Sequence, residues 1–138
     1  MRTRMSIAAL AIAMTAVIAA SCKGNPASKV IKSTQADDMT ITLTSATGEL
    51  KTGENELIVS FTDASNKPVD IGAATLTFHM PAMGSMAEMN DPARLTTTTT
   101  PGRFFAHVNI EVDGSWDARF AWEGPHGSGQ TSMNVQAK

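Results

Sequence analysis

Strict period-two alternation runs through nearly the whole body of this chain, and it leaves little room for anything but β-structure. Met39, Ile41 and Leu43 alternate with Thr40, Thr42 and Thr44, and Leu57, Val59 and Phe61 with Ile58, Ser60 and Thr62. Ala74, Leu76 and Phe78 alternate with Thr75, Thr77 and His79. Phe104, Ala106, Val108, Ile110 and Val112 alternate with Phe105, His107, Asn109 and Glu111, and Trp116, Ala118, Phe120 and Trp122 with Asp117, Arg119, Ala121 and Glu123. Side chains of a strand point to opposite faces in turn, so each run predicts a strand with one buried and one wet face. Trp116, Trp122, Met39 and Met133 are expected in the core. His107 falls on an outward face and reads as a solvated surface histidine.

Breaker clusters separate the runs: Thr47-Gly48, Asn66-Lys67-Pro68, Pro101-Gly102, Asp113-Gly114 and Gly124-Pro125-His126-Gly127. Asp113-Gly114, between two alternating runs, predicts a tight hairpin. The β-branched, uncharged run at residues 96–100 has strand propensity and little apolar surface, which places it at a sheet edge. With residues 130–136 the pattern predicts about seven antiparallel strands and no helix, an immunoglobulin-like β-sandwich over residues 38–138.

The N-terminus reads as an export signal over residues 1–21. Arg2 and Arg4 precede an uncharged apolar stretch at residues 7–20, too short for a comfortable membrane span. Ala19-Ala20-Ser21-Cys22 resembles the lipobox of bacterial lipoproteins, in which the cysteine becomes the lipidated first residue; Ala19 departs from the pattern, which usually has a larger aliphatic residue there. Lys23, by the same resemblance, favours the outer membrane in a diderm host. Residues 22–37 are polar and aperiodic and read as a flexible tether, with Asp37-Asp38 as a solvated pair before the first strand. Cys22 is the one cysteine, so the domain has no internal disulfide, thiolate metal site or thiol catalysis. Removing the leader leaves 9 Lys and Arg against 13 Asp and Glu, a net charge of −4. That balance argues against nucleic acid as a partner and permits metal cations.

The chemistry of the chain is concentrated in one segment. Met80, Met83, Met86 and Met89 recur at every third position behind His79, four of the nine methionines within ten residues. Thioether sulfur is soft and selects Cu(I) over hard cations. Pro81 ends strand pairing, and Gly84 and Ser85 predict an irregular connection of about a dozen residues, long for a compact sandwich. Met83 and Met86 are the foremost candidate copper(I) ligands, then His79, Met89 and Met80. Three other readings stand beside this one: Met80 continues the inward parity of Phe78 and reads equally as core, Met86-Ala87-Glu88-Met89 reads as one helical turn whose methionines cap the sandwich, and the methionines together read as an adaptable apolar surface for a protein partner. His126 joins the candidates only where its turn approaches the methionines. No nucleophile constellation, phosphate loop or dense carboxylate pair marks the chain as an enzyme.

Residues 101–108 (Pro-Gly-Arg-Phe-Phe-Ala-His-Val) and 114–120 (Gly-Ser-Trp-Asp-Ala-Arg-Phe), with Met80-Pro81-Ala82-Met83, residues 55–63 and Lys67-Pro68-Val69, resemble the YtkA-like domain family, whose wider relatives include FixH-type proteins. The resemblance implies a small exported β-sandwich, free, lipid-anchored or fused to membrane parts. It also implies an association of methionine-rich versions with copper handling and metal-efflux adaptors. FixH-type relatives are associated with cytochrome oxidase assembly, and this chain lacks their transmembrane segment. The expectation is thus a lipid-anchored envelope protein facing the periplasm that holds copper(I). The alternative is a metal-independent module that docks on an envelope complex or an efflux adaptor.

Overall fold

A computed structural model describes residues 28–138. The leader, Cys22 and the first part of the tether lie outside the described residues. Among those described, the secondary structure is all β, in nine strands: β1 (Lys29–Ala36), β2 (Met39–Ser45), β3 (Gly53–Thr62), β4 (Ala73–Met80), β5 (Met89–Pro92), β6 (Arg94–Thr97), β7 (Arg103–Ile110), β8 (Gly114–Gly124) and β9 (Gly127–Ala137). Two antiparallel sheets form, ordered β1-β2-β3-β7-β6 and β5-β4-β8-β9. They pack face to face as the β-sandwich that the alternation predicts.

The inward parity of each run is the core. Ile41, Leu43, Val59, Phe61, Ala106 and Ile110 of the first sheet meet Leu76, Phe78, Trp116, Ala118 and Phe120 of the second, all almost wholly buried. Phe61 stands edge-on to both Phe104 and Trp122, at centroid distances of 6.1 and 5.9 Å, within the range for favourable aromatic pairs. Met39 and Met133 are buried, and His107 and Phe105 lie on the wet face of β7.

Three expectations are corrected. Asp113-Gly114 does not close a hairpin, because β7 pairs with β3 and β6 while β8 pairs with β4 and β9. Each run has a fully apolar inward face, and two such faces bury most area when they oppose each other across the core. The link therefore crosses between sheets, and Trp116 Nε1 donates to the Val112 carbonyl at 3.0 Å to hold it. Second, the sheet begins inside residues 22–37. β1 lacks buried alternation because it is an edge strand held by its backbone ladder to β2, and Asp37-Asp38 is the turn between them, with Asp37 at φ +55°. Third, the long connection after β4 is shortened by β5, whose Asp91-Pro92 conceals a strand. Asp91 turns inward and its carboxylate accepts from the Glu111 N–H at 3.2 Å.

Candidate metal site

β4 runs to Met80, which sits opposite Met89 of β5, so these two share the inward face of the sheet. Met80 is 6% exposed and belongs to the core, and Met89 packs against it half-buried. Between them residues 81–88 are all exposed. They turn back on themselves at Gly84-Ser85: Met83 N–H donates to the Met86 carbonyl at 3.0 Å and Met86 N–H to the Met83 carbonyl at 2.9 Å. Gly84 takes φ +57°, as the first central position of a two-residue reverse turn of this kind requires. Residues directly opposite in an antiparallel pair project to the same side with Cβ atoms about 5 Å apart. The backbone thus sets the Met83 and Met86 side chains side by side, 64% and 48% exposed.

Met80, Met83 and Met86 line one cavity of about 250 Å³ at this end of the sandwich, with Pro81, Gly114 and Ser115. Its remaining wall is polar: Asp113, Asp117 and Asn134. Asn134 donates to Asp117 Oδ1 at 3.2 Å and exchanges hydrogen bonds with the Ser115 hydroxyl, which fixes that wall. A soft sulfur face and an anionic face therefore share one opening.

The other candidates divide. Met89 does not line the cavity. His79 is on the outward parity of β4 and is still only 8% exposed. Its Nδ1 lies 2.8 Å from Asn90 Oδ1 and its Nε2 3.9 Å from Glu88. The contact with Asn90 fixes the orientation of the imidazole and leaves Nε2 towards the Glu88 carboxylate. His79 does not line the cavity, but its cross-strand partner on β8, Asp117, does. His126 lies in the β8–β9 turn beyond Glu123, which pairs with Ala73 at the other end of β4. That is roughly 20 Å along the strand from the methionines, too far to join them.

Asp113 and Asp117 escaped the sequence reading. Asp117 showed only as an outward residue beside Trp116, and nothing in the periodicity says that β8 begins where β4 ends. Among the described residues no three of His, Cys, Asp or Glu come together as metal donors. A larger cavity, about 650 Å³, lies elsewhere, against Ile58, Phe105, Arg103 and the threonines that follow β6. It holds no soft donor.

These features define a small all-β sandwich with a thioether-lined opening at one end. The YtkA-like family profile matches residues 33–120, and the chain belongs to the YtkA-like family. Comparison with curated proteins found no match. Among solved structures, the chain shows a distant likeness to FetP of uropathogenic Escherichia coli strain F11. The as-isolated form, expressed in the E. coli periplasm, has 12% identity and a TM-score of 0.45, with 76% of this chain and 91% of that chain covered. A copper-bound variant of FetP has 9% identity and a TM-score of 0.44, with 79% and 95% covered.

Proposed function

We propose that this YtkA-like protein is an exported, Cys22-anchored envelope protein that binds Cu(I) through Met83, Met86 and Met80 and hands it on by ligand exchange, without bond chemistry on a substrate. One observation carries the reading: a two-residue turn sets two exposed thioethers side by side over a cavity that a third thioether also lines. Met83 and Met86 are both exposed at one point of the surface, and three soft donors suit a low-coordinate monovalent copper centre. Asp113 and Asp117 add negative potential that attracts a cation into the opening. His79, oriented by Asn90, stands one residue away as a further donor for the exchange step. Titration with Cu(I) against a chromophoric Cu(I) chelator under reducing conditions tests the proposal. Wild-type protein should compete for the ion, and affinity equal to that of a Met83→Ala/Met86→Ala variant would end the idea.

The exposure of Met83 and Met86 also favours a second reading, in which the hairpin is an apolar knob for an envelope protein and no metal is needed. Pull-down from envelope extracts with and without a copper chelator separates the two. Capture that ignores the chelator supports the knob.

A further inference from the structure

Each sheet of this sandwich has two edges, and three of the four are blunted. β1 carries Lys29 and Lys32 and a break in register between Val30 and Lys32. β5 and β6 have four residues each, and β5 ends in Pro92 while β6 opens with Arg94. Lysine, proline, bulges and shortness are the devices that keep an edge from pairing with another chain. β9 has none of them. It is 11 residues long, contains no charged residue and no proline, and keeps an unbroken register with β8.

The C-terminal part of β9 is occupied. Ala137 bridges Leu50, Lys138 N–H donates to the Leu50 carbonyl at 3.0 Å, and Ile31 and Lys32 of β1 face Asn134 and Gln136 across a narrow cleft. Residues 127–133 take ladder partners from β8 alone among the described residues. Gly129 in this stretch has its own reason: a Cβ there would lie 2.5 Å from the Trp122 ring, so the glycine lets the indole cover the strand from within. The outer edge of its backbone has no ladder partner among the described residues.

We propose that residues 127–133 of β9 pair antiparallel with the same residues of a second copy of this chain about a two-fold axis at Gln130. This register sets Gln130 against Gln130, Gly129 against Thr131 and Ser128 against Ser132. The parity is correct, since the exposed residues Ser128, Gln130 and Ser132 stay on one face and the inward residues on the other. A two-fold axis brings every charge near its own copy, and an acidic chain pays no such penalty along a neutral strand. The Gln130 amide is both donor and acceptor and therefore complements itself. The result is one continuous eight-stranded sheet, an isologous contact built on main-chain hydrogen bonds. β5 stands at the opposite edge of the same sheet, and the pairing ends at Met133, one residue before Asn134 in the wall of the methionine cavity.

Sedimentation velocity of the full chain in a Cys22→Ser background tests the pairing. A concentration-dependent dimer is expected, and Gln130→Lys/Ser132→Lys, on two exposed side chains, should weaken it at least tenfold. As an independent readout, Gln130→Cys should form an intermolecular disulfide on mild oxidation, while Thr96→Cys, on the edge of the other sheet, should not. A chain that stays monomeric at all concentrations, a dimer indifferent to the lysines, or equal cross-linking at both cysteines would overturn the proposal.

Discussion

Met83 and Met86 exchange both of their backbone hydrogen bonds, at 3.0 and 2.9 Å, so the distance between their side chains is set by a turn and not by side-chain packing. A substitution in the turn can therefore separate the sulfurs without removing either one. Gly84 is the place for it. At φ +57° a side chain is strained, although a Cβ there would meet nothing within 4 Å. Left-handed backbone costs an L-residue about 1–2 kcal/mol, enough to open an exposed two-residue turn. Gly84→Val should lower Cu(I) affinity by about tenfold, which is about 1.4 kcal/mol, with the melting temperature unchanged. Chelator competition and calorimetry on the same sample check both halves.

Asp117 should act by charge. Asp117→Asn keeps a polar group beside Asn134 and removes the carboxylate from the cavity wall. Cu(I) affinity should fall several-fold at low ionic strength and less at high salt, because screening weakens the field that the carboxylate supplies. Equal affinity at low salt would remove the anionic wall from the account.

The crossover between sheets rests on Trp116. Its indole N–H donates to the Val112 carbonyl at 3.0 Å, and the ring is fully buried. Trp116→Phe leaves that carbonyl without its partner and a gap beside it. Stability should drop by about 1–3 kcal/mol or more, read as a lower denaturant midpoint at constant slope.

Glu49 accepts a hydrogen bond from Lys138 Nζ at 2.7 Å, and that bond, with the charge beside it, holds the carboxyl below its usual range. A depressed carboxylate favours the folded state above the unfolded group's pKa, and the benefit fades as pH falls through the lowered value. An NMR titration should place the Glu49 midpoint below that of a free glutamate, and Lys138→Met should return it towards normal.

Much of this structure is legible in the residues, for stated reasons. Alternation marks inward faces, so the core from Ile41 to Val135 and the two tryptophans follow from parity. Alternation does not say which strands pair. A hairpin and a crossover both satisfy the pattern around Asp113-Gly114, and only the opposition of two apolar faces decides between them. β1 and β5 escaped because an edge strand held by its backbone needs no apolar alternation, and Asp91-Pro92 reads as a turn. At the site, the Met-x-x-Met spacing marked Met83 and Met86, but it took the turn at Gly84-Ser85 to set them face to face. Asp117 and Asn134 join the cavity through the neighbouring of β4, β8 and β9, which no local pattern encodes. Cys22 and the leader remain readings of the sequence.

The central claim is that the paired thioethers hold a soft monovalent ion. The most direct test follows the methionine methyl groups by carbon–proton NMR while Ag(I), an air-stable monovalent stand-in for Cu(I), is added with no reductant or thiol present. The account predicts saturable shifts at the Met83, Met86 and Met80 methyls and still signals from Met39 and Met133 in the core. Methyl signals of Met83 and Met86 that do not move at saturating silver would contradict it.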